Sequence, residues 1–244
     1  MKKYANTFIF NKQFPIPMKQ EETFASLSAA GFNEIEIRRE YIKDNGSELP
    51  VIAELAKRQG LTLYYAIVDT FYKDGSLNKN ALDIYFSEAA TLGAKTVKLM
   101  PGDFVALSSE DAEYLRSKTQ SGLELMLENG QKTTPAQMKD FVTACEAAGI
   151  ELGITFDLGN WVWGGWDVPA TAELLKPWAK AVHLKDGAEK DGQLQVVPIG
   201  EGVTDWKKVV RILSDCRFAI EYSCGDAAIE NMLKELDKLD FLDC

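Results

Sequence analysis

Short apolar or β-branched runs alternate with amphipathic stretches along the whole 244-residue chain, and this alternation constrains the fold more than any single motif does. It recurs about every 30 residues, the length of one strand with its crossover helix. Eight runs qualify as strands: Tyr4 to Phe10, Asn33 to Arg38, Thr62 to Val68, Thr96 to Met100, Leu123 to Leu127, Glu151 to Phe156, Lys180 to Leu184 and Arg217 to Tyr222. Between them, Lys19 to Ala30, Leu49 to Gln59, Leu77 to Leu92, Pro135 to Ala148 and Trp206 to Leu213 carry apolar side chains at three- and four-residue spacing, the pattern of helices that bury one face.

The ends of these stretches carry turn chemistry. Gly31, Gly60, Gly93 and Gly149 each precede a strand, where helices commonly close on a left-handed glycine. Ser109 with Asp111, Thr134 with Pro135, and Thr204 with Asp205 mark helix starts. Strict repetition with eight strands predicts one closed (β/α)8 TIM barrel spanning residues 1–244 as a single domain, at the compact end for that fold. A doubly wound sheet is the open alternative, but no Gly-rich phosphate turn follows the first strand.

Composition narrows the partners. With 27 basic against 37 acidic side chains the net charge is −10, which argues against nucleic acid and anionic membrane surfaces. The amino-terminal apolar stretch is broken by Asn6, Asn11 and Lys12 before it could form a signal-peptide core. No run is long and apolar enough to span a bilayer. Cys145, Cys216, Cys224 and Cys244 show no ligand spacing, so free thiols in a reducing cytoplasm are expected.

In a barrel the chemistry sits at the carboxyl ends of the strands. Four consecutive strand candidates run into metal-ligand types there: Glu128, Asp157, His183 and Glu221. Each is about one βα unit from the next, so the four side chains converge at the barrel mouth. Three gathered carboxylates repel one another unless a cation relieves them. One imidazole with three carboxylates suits Mn2+ or Mg2+, with Co2+ or Zn2+ as alternatives.

The segments LMLENG, TFDLGNW, VHLKD, PIGEGVTDW and FAIEY resemble the xylose isomerase-like TIM barrel superfamily, the sugar phosphate isomerases/epimerases. The resemblance covers nearly the whole chain. It implies that Glu128, Asp157, His183 and Glu221 bind one divalent metal. It further implies that Glu128 and Glu221 act as acid/base groups on opposite faces of a ketose, through an enediolate. The superfamily's apurinic endonucleases hold histidine-rich zinc clusters, whereas this chain has one histidine, with Asn160 where a second ligand often stands.

Around this set, Lys185 lies two residues past His183, on the same strand face, and is expected to stabilise the enediolate oxygen. In EIEIRRE, Glu36 points inward with Glu34 and Arg38 and is expected to bind a substrate hydroxyl. Lys98 is expected either to reach the substrate cavity or to form a barrel salt bridge. Trp161 and Trp163, with Trp166, are expected to pack on a sugar face, to cover the mouth or to fill a subunit interface. Gly200-Glu201-Gly202 could approach a phosphate or merely turn the chain.

The leading expectation is a metal-dependent isomerase or epimerase acting on a small-molecule carbohydrate. A dehydratase of a keto-inositol or dehydroshikimate-like substrate is the alternative enzyme, and a non-catalytic sugar- or metal-binding barrel the alternative of another class. A homodimer is the expected assembly.

Overall fold

Period-two alternation splits every long strand of this chain into an apolar and a polar face. Ile35, Ile37, Leu63, Val97, Leu99, Leu125, Leu127, Ile154, Phe156, Val182, Leu184, Phe218 and Ile220 are all buried in one large apolar cluster shared with the helices. The intervening residues form the inner wall of a barrel. This architecture comes from a computed structural model that describes residues 1–14, 18–43, 46–120 and 122–242.

The elements run β1 (Lys2–Lys3), β2 (Ala5–Asn6), α1 (Phe24–Ala29), β3 (Glu34–Arg38), α2 (Leu49–Arg58), β4 (Thr62–Lys73), β5 (Ser76–Leu77), α3 (Lys79–Leu92) and β6 (Thr96–Gly102). They continue with α4 (Ser109–Thr119), β7 (Glu124–Glu128), α5 (Pro135–Ala147), β8 (Leu152–Asp157), α6 (Leu158–Trp163), α7 (Val168–Leu175) and β9 (Ala179–Leu184). Last come β10 (Asp186–Lys190), β11 (Gln193–Val197), α8 (Trp206–Ile212), β12 (Arg217–Ile220) and α9 (Ala228–Asp237).

Parallel pairing follows the order β1-β12-β9-β8-β7-β6-β4-β3-β2. The two ends of this path are two halves of the same stretch of chain: Lys2 pairs with Arg217, while Ala5 pairs with Ile35. Between them the Tyr4 N–H donates to the Phe218 carbonyl at 3.0 Å. The first strand thus closes the sheet on itself, and the result is a TIM barrel. Inside it, Tyr4, Tyr64, Met126, Ala181 and Ala219 form a separate apolar layer, with Tyr4 edge-on to Tyr64 at 5.7 Å. Two residues further along their strands, this layer gives way to Asn6, Glu128, His183 and Glu221.

The helix-to-strand turns are as expected: Gly31, Gly60, Gly93 and Gly149 all have positive φ. Thr134 caps α5 by accepting from the Gln137 N–H, with Pro135 in the first turn. Asp205 caps α8. The cap of α4 is Ser108, one residue before the expected Ser109. The first strand is shorter than Tyr4 to Phe10, because the Asn6 side chain accepts from the Phe8 N–H and turns residues Thr7–Phe10 into a 3-10 helix. β4 runs past Val68 to Lys73 through a register shift between Ala66 and Thr70. Two hairpins unforeseen in the sequence, β4–β5 and β10–β11, turn at Asp74-Gly75 and Asp191-Gly192, all four residues at positive φ. Among the described residues no helix is long and apolar enough to cross a membrane. Cys145, Cys216 and Cys224 are free and buried; Cys244 lies outside the described residues.

Candidate metal centre

Each of the four expected ligands emerges at the barrel mouth because its strand ends there. Glu128 closes β7 and Asp157 closes β8; His183 lies on β9 directly beside Asp157, and Glu221 follows β12. One ligand atom from each lies within 4.8 Å of every other. His183 turns Nδ1 toward the carboxylates, 2.6 Å from Glu128 Oε1 and 3.2 Å from Glu221 Oε1. Asp157 uses Oδ1 to accept from the Asn160 N–H at 2.9 Å, capping α6, and leaves Oδ2 facing the cluster.

The donor set has the chemistry to hold a cation. Glu128 Oε1, Asp157 Oδ2 and His183 Nδ1 are all buried without a well-aligned hydrogen bond, although the first and third lie 2.6 Å from each other and Lys185 Nζ lies 2.6 Å from the second. Buried polar atoms without an aligned hydrogen bond are rare and costly, and here three of them meet at one point. Charge counting agrees. With the imidazole neutral and every carboxylate ionised, as they would be around a metal, Glu36, Glu40, Glu128, Asp157 and Glu221 make five negative charges and Lys98, Lys185 and Arg38 three positive ones, leaving two negative charges for one divalent ion. The residues fit such an ion, with three oxygen donors and one nitrogen.

The far edge of the imidazole is equally well defined. Nε2 of His183 lies 3.2 Å from Glu36 Oε1, and that same oxygen receives the Asn6 amide and the Lys98 ammonium, each at 2.8 Å. A proton on Nε2 would face Glu36 and leave Nδ1 as the lone pair, the tautomer a metal requires; the Asn6 amide and the Lys98 ammonium also approach Nε2, each to 3.4 Å. Burial alone would raise the Glu36 pKa, but Lys98 and His183 outweigh it and hold it down to about 2. The Asp157 carboxyl goes the other way. Burial pushes it up to about 7 despite Lys185. For His183, burial favours the neutral ring, yet Glu221, Glu36 and Glu128 together raise its pKa well above the usual value.

Two cations grip Glu221, one on each oxygen: Arg38 Nη1 at 2.6 Å from Oε1 and Lys185 Nζ at 2.9 Å from Oε2. Lys185 also approaches Asp157 Oδ2 to 2.6 Å. Its aliphatic stem crosses Gly159, where an added Cβ would lie 2.5 Å from Lys185 Cγ. The glycine of the D-L-G-N segment is therefore required by the lysine. Arg38 stacks its guanidinium over Phe8 at 4.6 Å and pairs with Glu40 as well. Asn129 locks the Glu128 and Asp157 strand ends together, accepting from the Asp157 N–H and donating to its carbonyl.

A cleft of about 170 Å³ opens over the cluster, lined by Phe8, Arg38, Met100, Glu128, Lys185 and Glu221 among others. Glu128, with 16% of its side chain exposed, reaches this cleft, while His183 is fully enclosed. Glu36 and Lys98 are buried beneath the imidazole, and protein groups rather than open space meet them there. Trp161 is wholly buried against Phe156, 5.8 Å between ring centroids, and faces the core instead of the cleft. Trp163 packs toward Gly187 of β10. Gly200-Glu201-Gly202 forms a cradle of backbone donors, but the buried Asp186 carboxylate occupies it, accepting from the N–H groups of Gly187, Gly200, Gly202 and Thr204. Asn6, Arg38 and Asp186 were the residues whose roles sequence reasoning missed. The signals were there: Asn6 and Arg38 end inward-facing strand positions, and Asp186 follows the histidine strand.

Comparison with known proteins adds the following. The family model described as xylose isomerase-like TIM barrel matches residues 24–240. No curated protein matches the chain. Among solved structures, an IOLI protein with a binding zinc atom is 17% identical, covers 98% of both chains and superposes with a TM-score of 0.73. A probable 3-DHS dehydratase, AsbF, involved in petrobactin synthesis from Bacillus anthracis, is 16% identical over 97% of this chain and 98% of its own, with a TM-score of 0.69. A D-psicose 3-epimerase in the presence of D-fructose is 15% identical over 99% of both chains, with the same TM-score of 0.69. At these identities the likeness concerns the fold.

Proposed function

The chain belongs to the xylose isomerase-like TIM barrel family, and from that premise we propose that it is a divalent-metal-dependent isomerase or epimerase of a small ketose or related carbohydrate. The observation that carries this reading is the convergence of one ligand atom each from Glu128, Asp157, His183 and Glu221, three of them buried without an aligned hydrogen bond. A bound divalent ion, Mn2+ or Mg2+ by the oxygen-rich donor set, with Co2+ or Zn2+ as alternatives, supplies Lewis acidity that makes the carbon next to a carbonyl acidic.

The protein's own groups then divide the work. Glu128 faces the cleft and is placed to take the proton from that carbon. Lys185 brings a permanent positive charge to the oxygen on which negative charge develops. Glu221 returns a proton from the other side in an epimerisation. Asn129 and Glu36 hold the ligands in place. The closed barrel floor, with its Tyr4 and Tyr64 layer, keeps water from entering beneath.

One observation favours a second reading, a dehydratase acting on a keto-inositol or dehydroshikimate-like compound. Arg38 and Lys185 grip the two oxygens of Glu221 at 2.6 and 2.9 Å and leave it 6% exposed, whereas Glu128 meets a single lysine, Lys98, at 3.2 Å and is 16% exposed. A reaction that removes one proton and then expels a hydroxyl needs only one mobile base. A structural neighbour with probable 3-DHS dehydratase activity is consistent with this. The free buried thiols suit a cytoplasmic setting.

Elemental analysis of the purified protein before and after chelation, coupled to solvent deuterium uptake into ketoses, keto-inositols and dehydroshikimate, tests both readings. About one divalent ion per chain with metal-dependent exchange supports them. Loss of hydroxide marks the dehydratase. No metal after reconstitution overturns the four-ligand site.

A further inference from the structure

The cleft over the metal cluster does not end at its own walls. Met100 and Asn160 line it on one side, and the same two residues line a second chamber of about 510 Å³ that also touches Thr70, Gly102, Gly130, Thr133 and Gln137. The smaller volume is about that of six liquid-water molecules, a space for one small sugar. The larger one is left over once that sugar is seated.

The two chambers differ in chemistry. Carboxylates and their cations crowd the first, whereas no acidic residue lines the second. Apart from Lys132 at the rim its polar groups are neutral, and two of them are already oriented. Gln137 donates its amide to the Gly102 carbonyl at 2.7 Å, which fixes the side chain and turns its own carbonyl oxygen toward other partners. The Thr133 hydroxyl accepts from the Gly130 N–H at 3.0 Å, which leaves its hydrogen to donate. An oriented acceptor beside an oriented donor is what recognition of a hydroxyl needs. Between the chambers Met100 lies flat on Gly130, where an added Cβ would come within 2.9 Å of its sulfur. This leaves an apolar sill of the kind on which the C–H face of a ring can rest.

We propose that the second chamber is a subsite for a second sugar ring, so that the substrate is a glycosylated ketose whose reacting unit sits at the metal cluster and whose other ring sits beyond Met100. This rests on the reading of the cluster as the reaction centre. Lys132, exposed at the rim and without an ion pair among the described residues, offers the place to block the chamber without disturbing the core.

The test is calorimetric titration of the Mn2+-loaded protein with D-fructose and with two glucosyl-fructoses, turanose and maltulose, in wild type, Lys132→Trp and Gln137→Leu. At least one glucosyl-fructose should bind about tenfold more tightly than D-fructose to wild type. Lys132→Trp should erase that preference and leave D-fructose binding as it was, and Gln137→Leu should reduce it. Equal or weaker binding of both disaccharides, no binding of any of the three sugars, or an unaltered preference in Lys132→Trp would overturn the subsite. Solvent deuterium exchange run alongside separates the two ideas. A disaccharide preference without exchange retires the reaction and keeps the subsite; exchange into D-fructose without preference does the reverse.

Discussion

Glu36 meets His183 at Nε2, on the ring edge opposite the one that faces Glu128, so a carboxylate from the second barrel strand backs the imidazole whose other nitrogen faces the cluster. Replacing it by glutamine removes the charge that favours a proton on Nε2 while keeping the shape. Glu36→Gln should weaken metal binding by about ten- to a hundredfold, read by competition with a chelating dye. Unchanged affinity would show that the pairing is merely structural.

Lys185 touches two of the proposed ligands without being one. Lys185→Met should leave metal content nearly intact and lower turnover by a factor on the order of 100. Elemental analysis beside steady-state kinetics checks this, and parallel losses of metal and turnover would reduce Lys185 to a support for Asp157 and Glu221.

Most of the barrel and the meeting of the four candidate ligands were legible because one repeat of sequence maps onto one step around the ring. Glu128, Asp157, His183 and Glu221 announce themselves as polar residues at the ends of apolar runs, and the structure brings them together. What escaped was whatever depends on depth below the mouth. Glu36 and Lys98 carry the same inward signal as a cleft residue, and one further turn of the strand decides whether a side chain meets substrate or an imidazole. Trp161 reads as a loop aromatic, yet α6 carries it into the core. The hairpins had a readable Asp-Gly signature, but neither flanking run is apolar enough to read as a strand by hydrophobicity alone.

The metal-free protein should lose stability as the pH rises. Asp157 has its pKa raised to about 7 by burial, so the folded chain holds a proton there that the unfolded chain releases near the ordinary aspartate value. His183 is also raised, and its contribution is present below the usual histidine pKa and fades as pH climbs through the folded value. Both act in the same direction. Glu36, held down to about 2, loses its contribution only in strong acid and does not enter this window. Thermal melts with chelator should therefore show a Tm lower at about pH 8.5 than at about pH 6 by on the order of 5 °C. Added metal should abolish or reverse the trend, because it replaces those protons. A flat profile without metal would contradict the assigned shifts.

Asp186 gathers four backbone N–H groups and so ties the loop before α8 to the strand that follows His183. Asp186→Asn should cost about 1–3 kcal/mol, seen in the Tm, with faster amide exchange at Gly200, Gly202 and Thr204. Gly202→Ala should do comparable damage, since its Cβ would fall 2.3 Å from both Asp186 Oδ1 and the Gly187 carbonyl. Protection unchanged in both variants would mean that the loop is held by something else.

The first strand, split at Tyr4, pairs backward with β12 and forward with β3. The seam therefore joins segments from opposite ends of the chain, and Arg38 reaches Glu221, and Glu36 reaches His183, only once that seam is shut. A half-opened ring keeps all four donors, on or just past the neighbouring strands β7, β8, β9 and β12, but lacks the two groups that brace them, so the firmest hold on a metal is reserved for the finished hoop. An ion seated there therefore favours the shut ring over the open one by as much as those two braces improve its seat.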